Sequence, residues 1–417
     1  MKEFTQEKTY NINSLNERAK EFFDKKQYSK AISCFEEISA DYDFPEELKI
    51  NLAKCYYYNR QAPEAIKILQ SYKQFDHDSL LDFAIYKNAL GGFEEALQIY
   101  ESLDQSDPKV KFNIGWHMMR KGKFKEAFKL LEYGSQCRAW GHEYIHLENK
   151  KIDPQKRWDG KKTGKLLLFL EGGIGDCFIF IRWAKYLETL CDELIITTPK
   201  SIQRLLANAG YNVVPDYALE HLQYDHYVPS MSLPNFIDVS GPLDKVTLPY
   251  INSISEPYIT RGMEKMSSSN PCGKLKIGVR WMGNPEFEHD QFRTISKESF
   301  FNLTQYGTLF SLQLEEEEDD DHFIPCRHVI KDWQDTYSIF SELDLLVTSC
   351  TSTAHLAGAM NIPTIVMVPL VPYFIWASDE LSWYESVTVV RQKDYNDWSG
   401  SIKEMYELVE SFSNKYK

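Results

Sequence analysis

Four short segments in the first third of the chain repeat one another, and their spacing restricts this part to stacked helix pairs. The segments are Tyr28-Ser-Lys-Ala31-Ile-Ser-Cys-Phe35, Pro63-Glu-Ala65-Ile-Lys-Ile-Leu69, Phe93-Glu-Glu-Ala96-Leu-Gln-Ile-Tyr100 and Phe124-Lys-Glu-Ala127-Phe-Lys-Leu-Leu131. Their alanines are 34, 31 and 31 residues apart, and twelve residues before each stands another small residue: Ala19, Ala53, Ala84 and Gly115. Small residues in pairs let two helix backbones approach, and the large apolar residue four positions after each alanine lies on the same face. Turn-forming residues fall between the two halves of each unit: Lys25 to Gln27, Asn59 to Gln61, Gly91-Gly92 and Lys121 to Lys123. The periodicity therefore predicts a helical array over residues 1–147, which either recognises extended peptides or protein partners or only supports the second domain or a dimer.

A chain of 417 residues has room for two or three domains, and 43% hydrophobic with 14% aromatic residues supplies their cores. The net charge of −14 argues against broad binding to nucleic acid or anionic membrane. Eight scattered cysteines without a CxxC pair fit buried free thiols in a cytoplasmic protein. The N-terminus has no apolar core of a signal peptide. The most apolar stretch, Ile362 to Ala377, is interrupted by Pro363, Pro369 and Pro372 and reads as a buried strand followed by a loop, with no membrane span.

The pattern changes after Leu147. A polar linker is expected over 148–163, and the short apolar run Lys165 to Leu170 then reads as a strand buried on both faces. The turn Glu171-Gly-Gly-Ile-Gly-Asp176 leads into an amphipathic helix over Cys177 to Leu190, then a strand at Glu193 to Thr198 and a helix at Ser201 to Ala209. This is the βαβα order of a doubly wound sheet. After Ser267-Ser-Ser-Asn-Pro-Cys-Gly273 the order restarts, with strands at Lys276 to Trp281, Leu343 to Thr348 and Pro363 to Val368 and a helix over Ala354 to Met360. Two α/β halves are therefore expected, 164–266 and 267–417, with a cleft between them.

Three loops carry candidate chemistry. Gly172, Gly173 and Gly175 let backbone approach a ligand at a strand-to-helix turn, and Asp176 stands at the helix mouth as a general base or as a helix cap. In Thr348-Ser-Cys-Thr-Ser-Thr-Ala-His355, hydroxyls and free N–H groups at a helix start suit a phosphate, with His355 in reach, or else a capped helix with a packed histidine. The loop Asn284 to Ile295 offers Arg293 to a diphosphate or to a surface ion pair. Glu315 to Asp321 is seven acids in a row without alternating ligand geometry and reads as a solvated loop, so no metal is expected from it.

Taken in order, these motifs resemble the tetratricopeptide-repeat-containing glycosyltransferases related to glycosyltransferase family 9, the heptosyltransferase family. The resemblance runs through the repeats, Arg157-Trp-Asp-Gly160, Leu166 to Asp176, Pro229 to Pro234, Gly278 to Pro285 with Arg293-Thr-Ile295, Phe310 to Gln313, Thr351 to Gly358 and Trp383-Tyr384. It implies a tetratricopeptide-like array followed by a GT-B fold of two Rossmann-like halves, a nucleotide-sugar donor, inversion and no metal or other cofactor. It implies Asp176 as base with His355 assisting, and an acceptor-side loop at Gly172, Gly173 and Gly175. The donor is expected at Gly283, Asn284, Arg293, Gln313, Thr351, Ser352 and His355. Cys350 stands where heptosyltransferases usually have an aspartate, and Gly173 where many relatives have glutamine. A non-catalytic scaffold and a GT-B nucleotide-sugar epimerase are the alternative readings.

Overall fold

The computed structural model describes residues 6–41, 44–72, 75–256, 275–285, 290–315 and 319–415. These form two compact units: Met1–Ser106 with Asp394–Asn396, and Asp107–Lys393 with Asp397–Lys417. The expected joint at Ser267–Gly273 and the loop residues 286–289 lie outside the described residues.

The first unit holds helices α1 (Gln6–Asp24), α2 (Tyr28–Asp41), α3 (Glu46–Tyr58), α4 (Ala62–Gln70), α5 (His77–Ala89) and α6 (Phe93–Ser102), which pack in consecutive pairs. The repeated small residues Ala19, Ala31, Ala53, Ala65, Ala84 and Ala96 are all buried, as are Phe35, Leu69 and Tyr100. Each turn also contains a residue with positive φ: Lys26, Arg60 and Gly91, with Gly122 in the fourth pair. These four recur at the same spacing as the alanines. The left-handed residue lets the chain reverse after one helix and enter the next within a few residues.

The fourth pair, α7 (Pro108–Arg120) and α8 (Phe124–Leu131), belongs to the second unit, so the division falls after Ser106, ahead of the expected boundary at 147. A side chain at Gly115 would meet the Leu131 nitrogen at 2.9 Å, which explains a glycine where the other pairs have alanine. Aromatic packing explains the division. Phe124 lies 6.4 Å from Trp183 and 6.0 Å from Trp383, and Phe128 lies 6.1 Å from Phe180 and 6.0 Å from Phe374, ring centre to ring centre. The expected linker is also built in. After α9 (Glu143–Glu148), Arg157 pairs with Glu132 at 2.6 Å and Glu143 at 2.9 Å, and the Trp158 side chain is fully buried.

The remainder is α/β, with two separate all-parallel sheets. The first has strand order β3-β2-β1-β4, from β1 (Thr163–Phe169), β2 (Cys191–Thr198), β3 (Val213–Pro215) and β4 (His226–Pro229). Helices α10 (Ile174–Phe180), α11 (Ala184–Leu187) and α12 (Lys200–Asn208) accompany it. The second has order β10-β9-β8-β5-β6-β7, from β5 (Leu275–Arg280), β6 (Gly307–Ser311), β7 (Ile324–Pro325), β8 (Leu345–Ser349), β9 (Thr364–Val368) and β10 (Val387–Arg391). Its helices are α13 (Asp290–Arg293), α14 (Trp333–Phe340), α15 (Ser352–Ala359) and α16 (Ser399–Lys415). The long helix expected over Cys177 to Leu190 is broken: α10 tightens into a 3-10 turn at Ile181–Trp183 before α11. There the Arg182 side chain turns back to the Ile179 carbonyl at 2.7 Å and is buried instead of lying on a polar face. Among the described residues no helix is long and apolar enough to cross a membrane.

Candidate active site

The two bends singled out in the sequence meet. The loop after β1 opens α10, the loop after β8 opens α15, and the two helices pack on each other. The contact is close at Gly175, where an added Cβ would lie 2.8 Å from His355 Cδ2 and 3.5 Å from Ser352 Oγ. A glycine is therefore required here by space, with no demand from backbone conformation. Both loops leave the carboxyl ends of parallel strands, where α/β sheets bind ligands, and each presents the N–H groups of a first helical turn.

Asp176 occupies the first turn of α10. Its Oδ2 accepts the Gly173 N–H at 2.7 Å, so it ties down the helix start. Its Oδ1 accepts the Tyr373 hydroxyl at 2.7 Å, a contact made from the loop after β9. The residue is half-buried, and the protein around the carboxylate desolvates it and raises its affinity for protons. The bonds from Tyr373 and Gly173 and the charge of Arg293 oppose that rise without cancelling it. A carboxylate with raised basicity is suited to taking a proton. Gly172 adopts positive φ, and an added Cβ there would meet Asp176 Oδ2 at 2.7 Å.

His355 is buried in the first turn of α15. Its Nδ1 is 3.1 Å from the Tyr384 hydroxyl, and its ring stacks on Trp376 at 5.3 Å. Gly358 makes this possible, since any side chain there would collide with the Tyr384 ring. Burial lowers the imidazole's pKa to about 3, assisted by the charges of Arg182 and Arg293. His355 is thus neutral at ordinary pH. Around it, Thr351 and Thr353 share a hydroxyl hydrogen bond of 2.6 Å, and Thr353 bonds Thr348 at 3.0 Å. The Ser349 hydroxyl is buried without a hydrogen-bond partner.

Arg293 reaches the same place from α13. Its Nε pairs with the buried Asp290 at 2.7 Å and its Nη1 donates to the Cys350 carbonyl at 2.9 Å. Asp290 also accepts the Gly283 N–H at 3.0 Å, so the loop after β5 and the guanidinium are locked together. Arg293 lowers the proton affinity of Asp176 and Cys350 and opposes protonation of His355, so its charge reaches all three. The Cys350 thiol is itself pushed up to about 11 by burial and stays protonated. Asn284 is exposed beside Gly283. Gln313 is buried, with Oε1 accepting the Met282 N–H at 3.3 Å and Nε2 donating to Glu315, so it braces this loop.

Three of the four described acids of the run from Glu315 are held by basic side chains. Glu315 pairs with Arg280 at 3.1 Å, Asp319 with Arg327 at 2.5 Å and Asp320 with Lys297 at 3.2 Å. Residues 316–318 lie outside the description. Among the described residues no group of three or more His, Cys, Asp or Glu side chains is arranged to hold a metal ion.

Sequence reasoning missed Tyr373, Trp376 and Arg182. Tyr373 and Trp376 lie in the apolar, proline-interrupted stretch after β9, where nothing local marks a hydroxyl aimed at a carboxylate. Glu171, beside the glycine turn, was also passed over. It is buried, with Oε2 accepting the His142 N–H at 2.5 Å and Oε1 the Met231 N–H at 3.2 Å, which fixes the base of the loop. Desolvation pushes its carboxyl up to about 8 against those two bonds. The folded state then binds a proton more tightly than the unfolded chain, so this group's contribution to stability is lost as pH rises from about 4.5 to 8. Glu171→Gln should destabilise the protein by about 1–3 kcal/mol near pH 5, because its amide NH2 faces a backbone donor. Chemical denaturation across that range should show wild type losing its advantage over the variant as pH rises.

No protein-family model matches the chain, and no curated protein matches it. Solved structures similar to it include the E. coli ADP-heptose lipopolysaccharide heptosyltransferase II, at 10% identity and TM-score 0.41, covering 59% of this chain and 99% of that one. A glycosyl transferase family 9 protein from Veillonella parvula is similar at 8% identity and TM-score 0.41, covering 62% of this chain and 99% of that one. The Thermobaculum terrenum O-GlcNAc transferase is similar along 99% of this chain and 95% of its own, at 10% identity and TM-score 0.34.

Proposed function

We propose that the chain is a glycosyltransferase that moves a sugar from a nucleotide-sugar donor to an acceptor hydroxyl or amide nitrogen, using a GT-B arrangement of its two α/β halves. The observation that carries this reading is the seating of Gly175 against His355. It brings a carboxylate of raised basicity and a second, hydroxyl-rich helix start to one place. A carboxylate suits deprotonation of an acceptor, and a helix N-terminus with hydroxyls suits a diphosphate leaving group. The motif resemblance points to the same chemistry.

In this mechanism the acceptor lies by Gly172, Gly173 and Gly175, and its proton passes to Asp176 as its oxygen or nitrogen bonds to the anomeric carbon. The bond from that carbon to the diphosphate breaks on the opposite side, which inverts the configuration. The electron pair leaves on the diphosphate. Arg293, the N–H groups at the start of α15, the hydroxyls of Thr351 and Ser352 and the neutral His355 stabilise that charge, which is why no metal is required. Gly283 and Asn284 line the donor side, and Gln313 braces it. Tyr373 orients the base. The helical repeats are assigned to recognition of a protein or peptide, either acceptor or partner. A cytoplasmic location suits the seven described cysteines, all of them free thiols.

Mass spectrometry of proteins and glycans from cells co-expressing the chain tests the reading. A carrier with a fixed sugar mass increment, seen with wild type and missing with Asp176→Asn, is the expected result. Calorimetry in which no nucleotide or nucleotide sugar binds, together with no increment, would return the chain to the scaffold reading. Donor consumed without any acceptor would favour the epimerase.

A further inference from the structure

Arg182 is a buried cation. It is 2% exposed, and among the described residues no carboxylate pairs with it. Three backbone carbonyls take its N–H groups: Ile179 at 2.7 Å, Pro242 at 3.1 Å and Trp383 at 2.9 Å. Its Nη2 donates to the Tyr250 hydroxyl at 3.3 Å, which itself donates to the Phe178 carbonyl at 2.9 Å. The rings of Tyr384, Trp383, Tyr250 and Trp183 surround the guanidinium with centres 4.8 to 5.8 Å away. Burying a cation this way is costly, and aromatic faces and carbonyl dipoles offset only part of the loss. An apolar side chain in the same space would avoid the charge but leave those three carbonyls unpaired, so the guanidinium serves the local fold and its field acts on what lies beside it.

Tyr384 lies between Arg182 and His355, with its hydroxyl 3.1 Å from Nδ1 of the imidazole. The Tyr384 hydroxyl has two partners, the Tyr250 hydroxyl, which Arg182 also holds, and Nδ1. The positive charge of Arg182 turns the O–H dipole away from itself, toward Nδ1. We propose that Arg182 is a positioning residue which, through Tyr384, fixes His355 as the tautomer protonated on Nε2. That N–H then lies on the ring edge that faces Gly175.

The proposal rests on the transferase reading for its purpose, but not for its geometry. Among the described residues, the charges acting on His355 are those of Arg182 and Arg293, and the hydroxyl bonded to it is that of Tyr384, itself bonded to Tyr250 and Arg182. Both guanidinium groups oppose a proton on the imidazole, which agrees with a donor that stays neutral. A neutral N–H with a fixed direction discriminates by geometry, whereas an imidazolium would attract any anion.

Nitrogen-15 NMR of the protein labelled only at histidine tests this without any ligand. The chain has ten histidines, and His355→Gln identifies the signal. Wild type should show a single neutral species protonated on Nε2 that does not titrate between about pH 8 and pH 5. Tyr384→Phe, which removes one oxygen, should let the two tautomers mix while the ring stays neutral. Arg182→Met should mix them too, with the buried ring still neutral, whereas Arg182→Lys, which keeps the charge, should keep the single tautomer. If Arg182→Met does not fold, Tyr384→Phe decides. A wild-type signal protonated on Nδ1, or an unchanged tautomer in Tyr384→Phe, overturns the proposal. Because no sugar donor is involved, that failure is distinct from an absent mass increment, which would overturn the transferase reading instead.

Discussion

Asp176→Asn is expected to lower turnover by about 10²–10⁴-fold while leaving donor binding within a few-fold of wild type. The amide keeps the size of the side chain, and its oxygen can still accept the Gly173 N–H or the Tyr373 hydroxyl. It has no lone pair basic enough to take the acceptor's proton. The proposed donor contacts lie on other loops and helix starts, and none of them is a contact of this carboxylate. Steady-state kinetics should show the loss in kcat with little change in the donor KM. The pH profile adds a second check. Desolvation raises the Asp176 carboxyl above its usual range, so wild-type kcat/KM should fall with decreasing pH through a pKa higher than that of an ordinary aspartate. A variant that turns over at the wild-type rate removes Asp176 as the base. A parallel loss of donor affinity and rate would instead mean that its work is to cap α10.

Phe128→Ala should destabilise the second unit by about 3–5 kcal/mol. Phe128 is 1% exposed and packs on Phe124, Trp140, Phe180 and Phe374. Removing it leaves a cavity walled by rigid rings that cannot close over it. Denaturant unfolding followed by tryptophan fluorescence reads the loss, since Trp140, Trp183 and Trp383 all lie in or beside this cluster. The result also tests which unit owns α8. A helix pair belonging only to the repeats would leave the unfolding of the α/β part unchanged, whereas a pair built into its core shifts that transition.

The helices and the strands were largely legible in the chain because their signals are local. Alanines one repeat apart mark helix crossings, and continuous apolar runs such as Leu166 to Leu170 mark strands of a doubly covered sheet. The ends of α10 and α15 were legible for the same reason: glycines and hydroxyls cluster where a backbone turns and begins a helix. Local pattern failed at Arg182. In a helix of period 3.6 an arginine reads as a solvent-facing residue, and nothing nearby reveals that Tyr250 and Trp383, far along the chain, will enclose it. Tyr373 escaped in the same way, as one aromatic among many in an apolar stretch.

What the sequence determined by itself was the succession of elements and the composition of the two bends, since backbone preference and hydrophobic period act over a few residues. Only the tertiary structure decided that Gly175 would touch His355, that Tyr373 would bond Asp176 and that the fourth helix pair would join the α/β unit. Those outcomes depend on side chains tens to hundreds of positions apart filling one another's space, and packing of that kind has no signature in a short window of residues.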